Sequence, residues 1–149
     1  MNPAALVPML LVLFAGGMIA LQAPTNAILA RAGGSPVLAA LISFAVGTLV
    51  LLIVWLATAP RPRSAAFAGL PAYAWFGGAY GALYVAVAAY AAPRIGLASL
   101  ITIGIAGQIA MALLLDQLGA LGLPRDPLSL GRVAGALLVV AGVVLVRRS

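Results

Sequence analysis

Gln22, Thr25 and Asn26 stand at i, i+3 and i+4 between apolar neighbours, so a helix presents all three on one side. Three polar groups turned to hydrocarbon without partners would be costly, so that side must face other helices or a wet cavity. Pro24 sits among them; it removes one backbone hydrogen bond and crowds the carbonyl of Ala20, which predicts a hinge beside the polar side. Two chemistries fit these types: interhelical hydrogen bonds that fix packing, or a lining for the path of a solute.

Other uncharged polar residues fall at matching depths. With ~1.5 Å per residue counted from the end marked by Arg31 and Arg94, Asn26 and Gln22 lie ~8 and ~13 Å deep, and Tyr84 and Tyr80 ~15 and ~21 Å. Ser99, Thr102 and Gln108 fall at ~8, ~12 and ~21 Å on the same count. Ser43 and Thr48 add polar atoms from a fourth run, so most of these groups straddle the middle of a ~30 Å hydrocarbon layer. Secondary transporters keep substrate sites at that level. Tyr80 and Tyr84 also admit a plainer reading, as packing aromatics whose hydroxyls are satisfied.

The elements that must carry these residues are membrane helices. The chain has 149 residues, 65% of them hydrophobic, with eight arginines, two aspartates and no lysine. Its mean hydropathy is +1.22, and a soluble domain of this length could not hide so much apolar surface. Five apolar runs are expected to span the bilayer as one all-α domain, over about 4–30, 36–58, 72–92, 95–115 and 128–146. The first lacks a basic leading region and more runs follow, so it reads as a spanning helix, not a cleaved signal peptide. Arg31 to Gly34 reads as a break, and Ser35-Pro36 as an N-cap followed by proline at the first helical position. The segment 59–64, with Pro60 and Pro62, reads as a water-exposed link. Tyr73, Trp75 and Phe76 open the third run as an interfacial aromatic belt, and Pro93-Arg94 closes it. Asp126-Pro127 precedes the last run.

Five spans place the termini on opposite sides of the membrane. Arg61, Arg63, Arg125 and Arg132 then mark one side, and Arg31, Arg94, Arg147 and Arg148 the other. A chain that inserts one way shows an arginine and lysine excess on one side, and here four stand against four. Either eight arginines are too few to bias insertion, or the chain inserts both ways and pairs with an inverted copy of itself. The second reading predicts an antiparallel, dual-topology dimer with ten helices about a pseudo-twofold axis. Inversion maps a depth d to about 30 − d Å, which brings the partner's Gln108 to the level of Gln22 and Asn26. Small residues mark close helix contacts: Gly77 and Gly81 on the third run, Gly104 and Gly107 on the fourth, Gly131 and Gly135 on the fifth.

Several classes are excluded by what the sequence lacks. Without cysteine or histidine there is no thiol chemistry and no soft metal site. The arginines lie singly or in pairs at run ends, which argues against nucleic acid. Asp116 comes at the end of the fourth run, where a structural ion pair with Arg125 or Arg132 is the plain reading. No carboxylate pair, nucleophile with a base or nucleotide loop is present, so no enzyme activity, metal or cofactor is expected. No acidic residue lies mid-span either, which leaves no proton carrier at the membrane centre.

The stretch Leu21-Gln22-Ala23 with Asn26-Ala27 and Leu29 resembles the YdcZ-like family of small inner-membrane proteins. Gly34-Ser35-Pro36, Ser43-Phe44, Gly47-Thr48-Leu49, Trp75 to Ala82, Gly107-Gln108, Asp116 with Gly119, and Arg132 with Gly135 and Gly142 carry the likeness along nearly the whole chain. The resemblance implies the drug/metabolite transporter superfamily, beside the small multidrug resistance exporters. It also implies a five-helix unit, inverted homodimers or heterodimers with an oppositely oriented paralogue, and functional positions at Gln22, Asn26, Tyr80, Gly81, Gly107 and Gln108. One departure stands out. The small multidrug exporters use a glutamate in the first helix, where this chain has only Gln22 and Asn26.

The expectation is therefore a multi-pass protein of the bacterial inner membrane, in contact with lipid and working as an antiparallel dimer. Its small neutral or zwitterionic substrate would meet Gln22, Thr25, Asn26, Ser43, Thr48, Tyr80, Tyr84, Thr102 and Gln108. The alternatives are a non-transporting protein whose polar layer only fixes helix pairing, and a lipid-handling protein open sideways to the bilayer.

Overall fold

The computed structural model describes residues 6–58 and 67–148, so the link read at 59–64 lies outside the described residues. The described residues form helices and no strand: α1 (Leu6–Gly33), α2 (Pro36–Thr58), a 3-10 turn (Ala72–Trp75), α3 (Gly77–Ile95), α4 (Leu97–Leu118), a 3-10 turn (Ala120–Gly122) and α5 (Leu130–Arg148). Helices α1, α2 and α4 are long and apolar enough to cross a membrane, and α5 carries a shorter apolar stretch, Leu130–Val146. The chain divides into two compact units, Met1–Arg94 and Ile95–Ser149.

In the first unit α1 and α2 pack as a hairpin whose link is two residues long. Gly34 takes a left-handed turn (φ 71°) that a side chain would strain. Ser35 then caps α2, its hydroxyl accepting from the Leu38 N–H at 3.2 Å and its carbonyl from the Ala39 N–H at 3.1 Å. The expected break at Arg31 therefore comes later than the sequence suggested. The helix continues through Arg31, Ala32 and Gly33, because Gly34 alone supplies the reversal.

The buried positions are nearly all alanine. Ala23, Asn26 and Ala27 on α1, Ala39 and Ala40 on α2, and Val85, Ala88, Ala89 and Ala92 on α3 are buried. Their spacings on α1 and α3 follow i, i+3, i+4, the stripe of one helix side. Among the described residues no large side chain is fully buried, while Leu10, Leu13, Phe14, Leu51 and Leu83 point outward. Water would drive that arrangement the other way round. It suits a solvent as apolar as leucine, where contact between helices depends on small residues and close backbones.

The third run differs from expectation at both ends. Its aromatic opening forms a separate 3-10 turn behind Pro71, closed by the Phe76 N–H on the Tyr73 carbonyl at 3.1 Å. Phe67 and Trp75 meet there at 5.9 Å between ring centroids, and Tyr73, Trp75 and Phe76 are exposed as a belt requires. At the far end α3 runs through Pro93 to Ile95. The stop is Gly96, at φ 80°.

In the second unit α4 packs on α5. Helix α4 runs past Asp116 to Leu118 and ends on Gly119, a left-handed C-cap at φ 61° and ψ 37° whose N–H reaches the Asp116 and Leu115 carbonyls. A Cβ at Gly119 would lie 3.1 Å from Arg125 Cβ. The link is fastened back onto the helix end. Arg125 Nε donates to the Gln117 carbonyl (3.0 Å), the Leu128 N–H to Gln117 Oε1 (2.8 Å), and the Asp126 N–H to the Asp116 carbonyl (2.9 Å). Ser129 caps α5, which therefore starts at Leu130, not immediately after Asp126-Pro127.

Arg132 sits at the centre of this clamp. One guanidinium nitrogen pairs with Asp116 Oδ2, and the other with Asp126 Oδ2 (2.9 Å) and the Asp126 carbonyl (3.0 Å). Asp116 is thus paired with Arg132, one of the two partners expected for it. The side chains of Arg132 and Asp116 are only 30% and 29% exposed, whereas that of Asp126 is 66% exposed. Replacing Arg132 with alanine should destabilise the protein by about 1.5–3 kcal/mol, because a half-buried carboxylate loses its charged donor. Asp126→Ala should cost under about 1 kcal/mol, as exposed pairs do. Denaturation midpoints in detergent rank the two, and equal losses would contradict the clamp.

Candidate functional site

The three polar residues expected to share one side of α1 have different fates. Asn26 is 3% exposed, yet its Nδ2 has no hydrogen-bond partner among the described residues. An amide donor left unpaired in a dry interior costs about 1–3 kcal/mol, so the group needs either a trapped water or something it binds. One turn earlier, half-buried Gln22 donates from Nε2 to Ser43 Oγ on α2 at 3.5 Å, a contact too long to hold either group firmly. Two carboxamides and a hydroxyl therefore lie along the α1–α2 seam with unspent hydrogen-bonding capacity.

Thr25 is exposed, and its hydroxyl is used by the backbone, donating to the Gln22 carbonyl at 2.9 Å and the Leu21 carbonyl at 3.1 Å. Such back-bonding shields a hydroxyl from lipid and tends to bend helices, here next to Pro24, which stays inside α1. Pro24 and the Thr25 back-bond are thus two neighbouring features of the kind that bend a helix.

The remaining expected positions are spread out. Thr48 is exposed on α2, and on α3 Tyr80 is exposed and Tyr84 half-buried. Thr102 and Gln108 belong to α4, in the second unit; the Thr102 hydroxyl donates to the Ala98 carbonyl within its own helix, and Gln108 is exposed. Gly81 makes a close contact: a Cβ there would lie 3.2 Å from the Phe44 ring, so α3 meets α2 at this glycine. At Gly77, Gly107 and Gly135 a Cβ would meet nothing within 4 Å, and at Gly131 only Ser129 Oγ at 4.0 Å. Among the described residues those glycines seat no neighbouring helix. Gly104 is half-buried on α4.

Sequence reasoning missed one group. Arg31 and Arg94, read only as topological marks, line one cavity of about 260 Å³ together with Gly34 and Pro36. A signal was available, because two aspartates cannot neutralise eight arginines.

A family model described as "Putative inner membrane exporter, YdcZ" matches residues 7–145, nearly the whole chain. No curated protein and no solved structure gives a significant match.

Proposed function

From the premise that this chain belongs to the YdcZ family of the bacterial inner membrane, we propose that it is a secondary exporter whose solute binds uncharged polar groups on the α1–α2 seam. The observation that carries the reading is Asn26, a buried carboxamide with an unused donor. Gln22 and Ser43 stand on the same seam, joined only by a 3.5 Å contact that a solute can replace at small loss.

The working unit we propose is an antiparallel dimer. Four arginines on each side of a five-span chain give insertion no preferred direction. A Cβ at Gly107 or Gly135 would meet nothing within 4 Å among the described residues, and Gln108 is exposed on α4. An inverted copy covers such surfaces and sets its Gln108 opposite Gln22 and Asn26, enclosing a wet layer at mid-bilayer. The solute is small and neutral or zwitterionic, since the middles of the spans offer amides, hydroxyls and phenols but no fixed charge.

Purified protein in proteoliposomes tests this. Preloaded vesicles should exchange at least one member of a panel of radiolabelled neutral and zwitterionic metabolites. They should not expel a lipophilic cation such as tetraphenylphosphonium in response to a pH gradient. Proton-driven efflux of that cation, or exchange of no panel member, overturns the proposal.

A further inference from the structure

We propose that the end of the first unit marked by Arg31 and Arg94 binds an anionic phospholipid, with its phosphate at the two guanidinium groups and an acyl chain along α2 and α3. The argument begins with charge. The sequence holds only two acidic side chains, and Arg132 engages both. No side-chain carboxylate of this protein remains for Arg31 or Arg94. Yet these two cations, 63 positions apart in sequence (94 − 31), line one cavity of about 260 Å³. Like charges brought together without a counter-charge call for an anion from outside the chain.

The cavity is built to take one. Arg94 is held from behind, one nitrogen donating to the Tyr90 carbonyl at 2.5 Å and the guanidinium lying 3.7 Å from the Tyr90 ring centroid. Its other N–H groups stay available, and a planar guanidinium fits phosphate oxygens two at a time. Gly34 and Pro36 also line the cavity, so the N-terminal end of α2 meets it beside the C-terminal turns of α1 and α3 that carry the two arginines.

The neighbouring groove distinguishes a lipid from a free anion. Val37, Ala40, Leu41 and Phe44 of α2, with Leu83 and Ala86 of α3, line a cavity of about 400 Å³ with almost no polar surface. It begins one residue beyond Pro36 and one helical turn from Ala89, both of which line the arginine cavity. From Pro36 to Phe44 the groove descends ~12 Å along α2, close to the ~15 Å depth of a single leaflet. A soluble phosphate would fill the first cavity and leave the second bare. A charged head joined to a hydrocarbon chain fills both. Gln22, Asn26 and Ser43 line neither cavity, although their neighbours Ala27 and Phe44 do.

Native mass spectrometry of the full-length protein tests the proposal, with phosphatidylglycerol, phosphatidylcholine and inorganic phosphate as probes. Phosphatidylglycerol should be retained in preference to phosphatidylcholine, and millimolar phosphate should not displace it. A surface arginine is worth about fivefold toward an anionic lipid, so Arg31→Gln with Arg94→Gln should cut retention roughly 25-fold. Ala86→Phe, which leaves the arginines intact, should also lower it by filling the groove. Equal retention of the zwitterionic lipid, unchanged retention by the double variant, or displacement by phosphate overturns the lipid assignment. Photoactivatable phosphatidylglycerol on the unaltered protein avoids any question of folding. Its label should concentrate on residues 37–44 and 82–86, and even labelling of all helices overturns the proposal.

Discussion

Asn26→Leu should abolish transport, lowering exchange in proteoliposomes by more than tenfold, while the protein stays folded in the membrane. The two side chains are similar in size, so the substitution opens little cavity and forces little overpacking. It also removes an unpaired amide whose burial costs about 1–3 kcal/mol, so stability should hold or rise slightly. A residue that only joined helices would behave in the opposite way. Its loss would remove a satisfied hydrogen bond, lower the denaturation midpoint and disperse the dimer together with activity. Gln22→Leu should have a smaller effect on exchange, because its contact with Ser43 is long and the seam keeps Asn26. Activity retained in Asn26→Leu would sink the solute reading. Activity and folding lost together would favour a packing role.

The second large effect concerns direction in the membrane. C-terminal fusions to a reporter active only in the cytoplasm and to one active only in the periplasm should both give signal. Leu123→Arg with Leu130→Arg should then silence one of the two. Both leucines are exposed, Leu130 at 92%, so added charge there disturbs little packing. The pair raises one side from four arginines to six while the other keeps four. Orientation follows such an imbalance in short links, and a balanced chain responds to small additions in a way a strongly biased one does not. If the unaltered chain shows one orientation only, a homodimer of inverted copies is ruled out and an oppositely oriented partner must supply the second half.

Much of the fold was legible in particular residues. Ser35-Pro36 sets the start of α2, and α2 runs from Pro36 to Thr58 where the apolar run does. Pro24 stays inside a helix, and Asp116 meets Arg132 as the plain reading of its position required. The misplaced boundaries share one cause. Arg31, Pro93 and Asp116 look like stops by type, but a charged residue or a proline in the last turn is tolerated. The true stops are Gly34, Gly96 and Gly119, each at a positive φ that a side chain would strain.

By itself the sequence determined the solvent of this protein and hence its class. Its apolar fraction requires lipid, its runs require helices, and without cysteine or histidine it has no thiol and no soft metal ligand. Those properties are sums over residues and do not depend on which side chain meets which. What each polar group does depended on tertiary contact. Thr25 and Asn26 are adjacent and both polar, yet Thr25 spends its hydroxyl on its own helix while Asn26 is buried with its donor unused. Helical periodicity puts them on one broad side but does not say where the neighbouring helix stops covering it. The same holds for Arg31 and Arg94, which become one site only because α1 and α3 end at the same cavity.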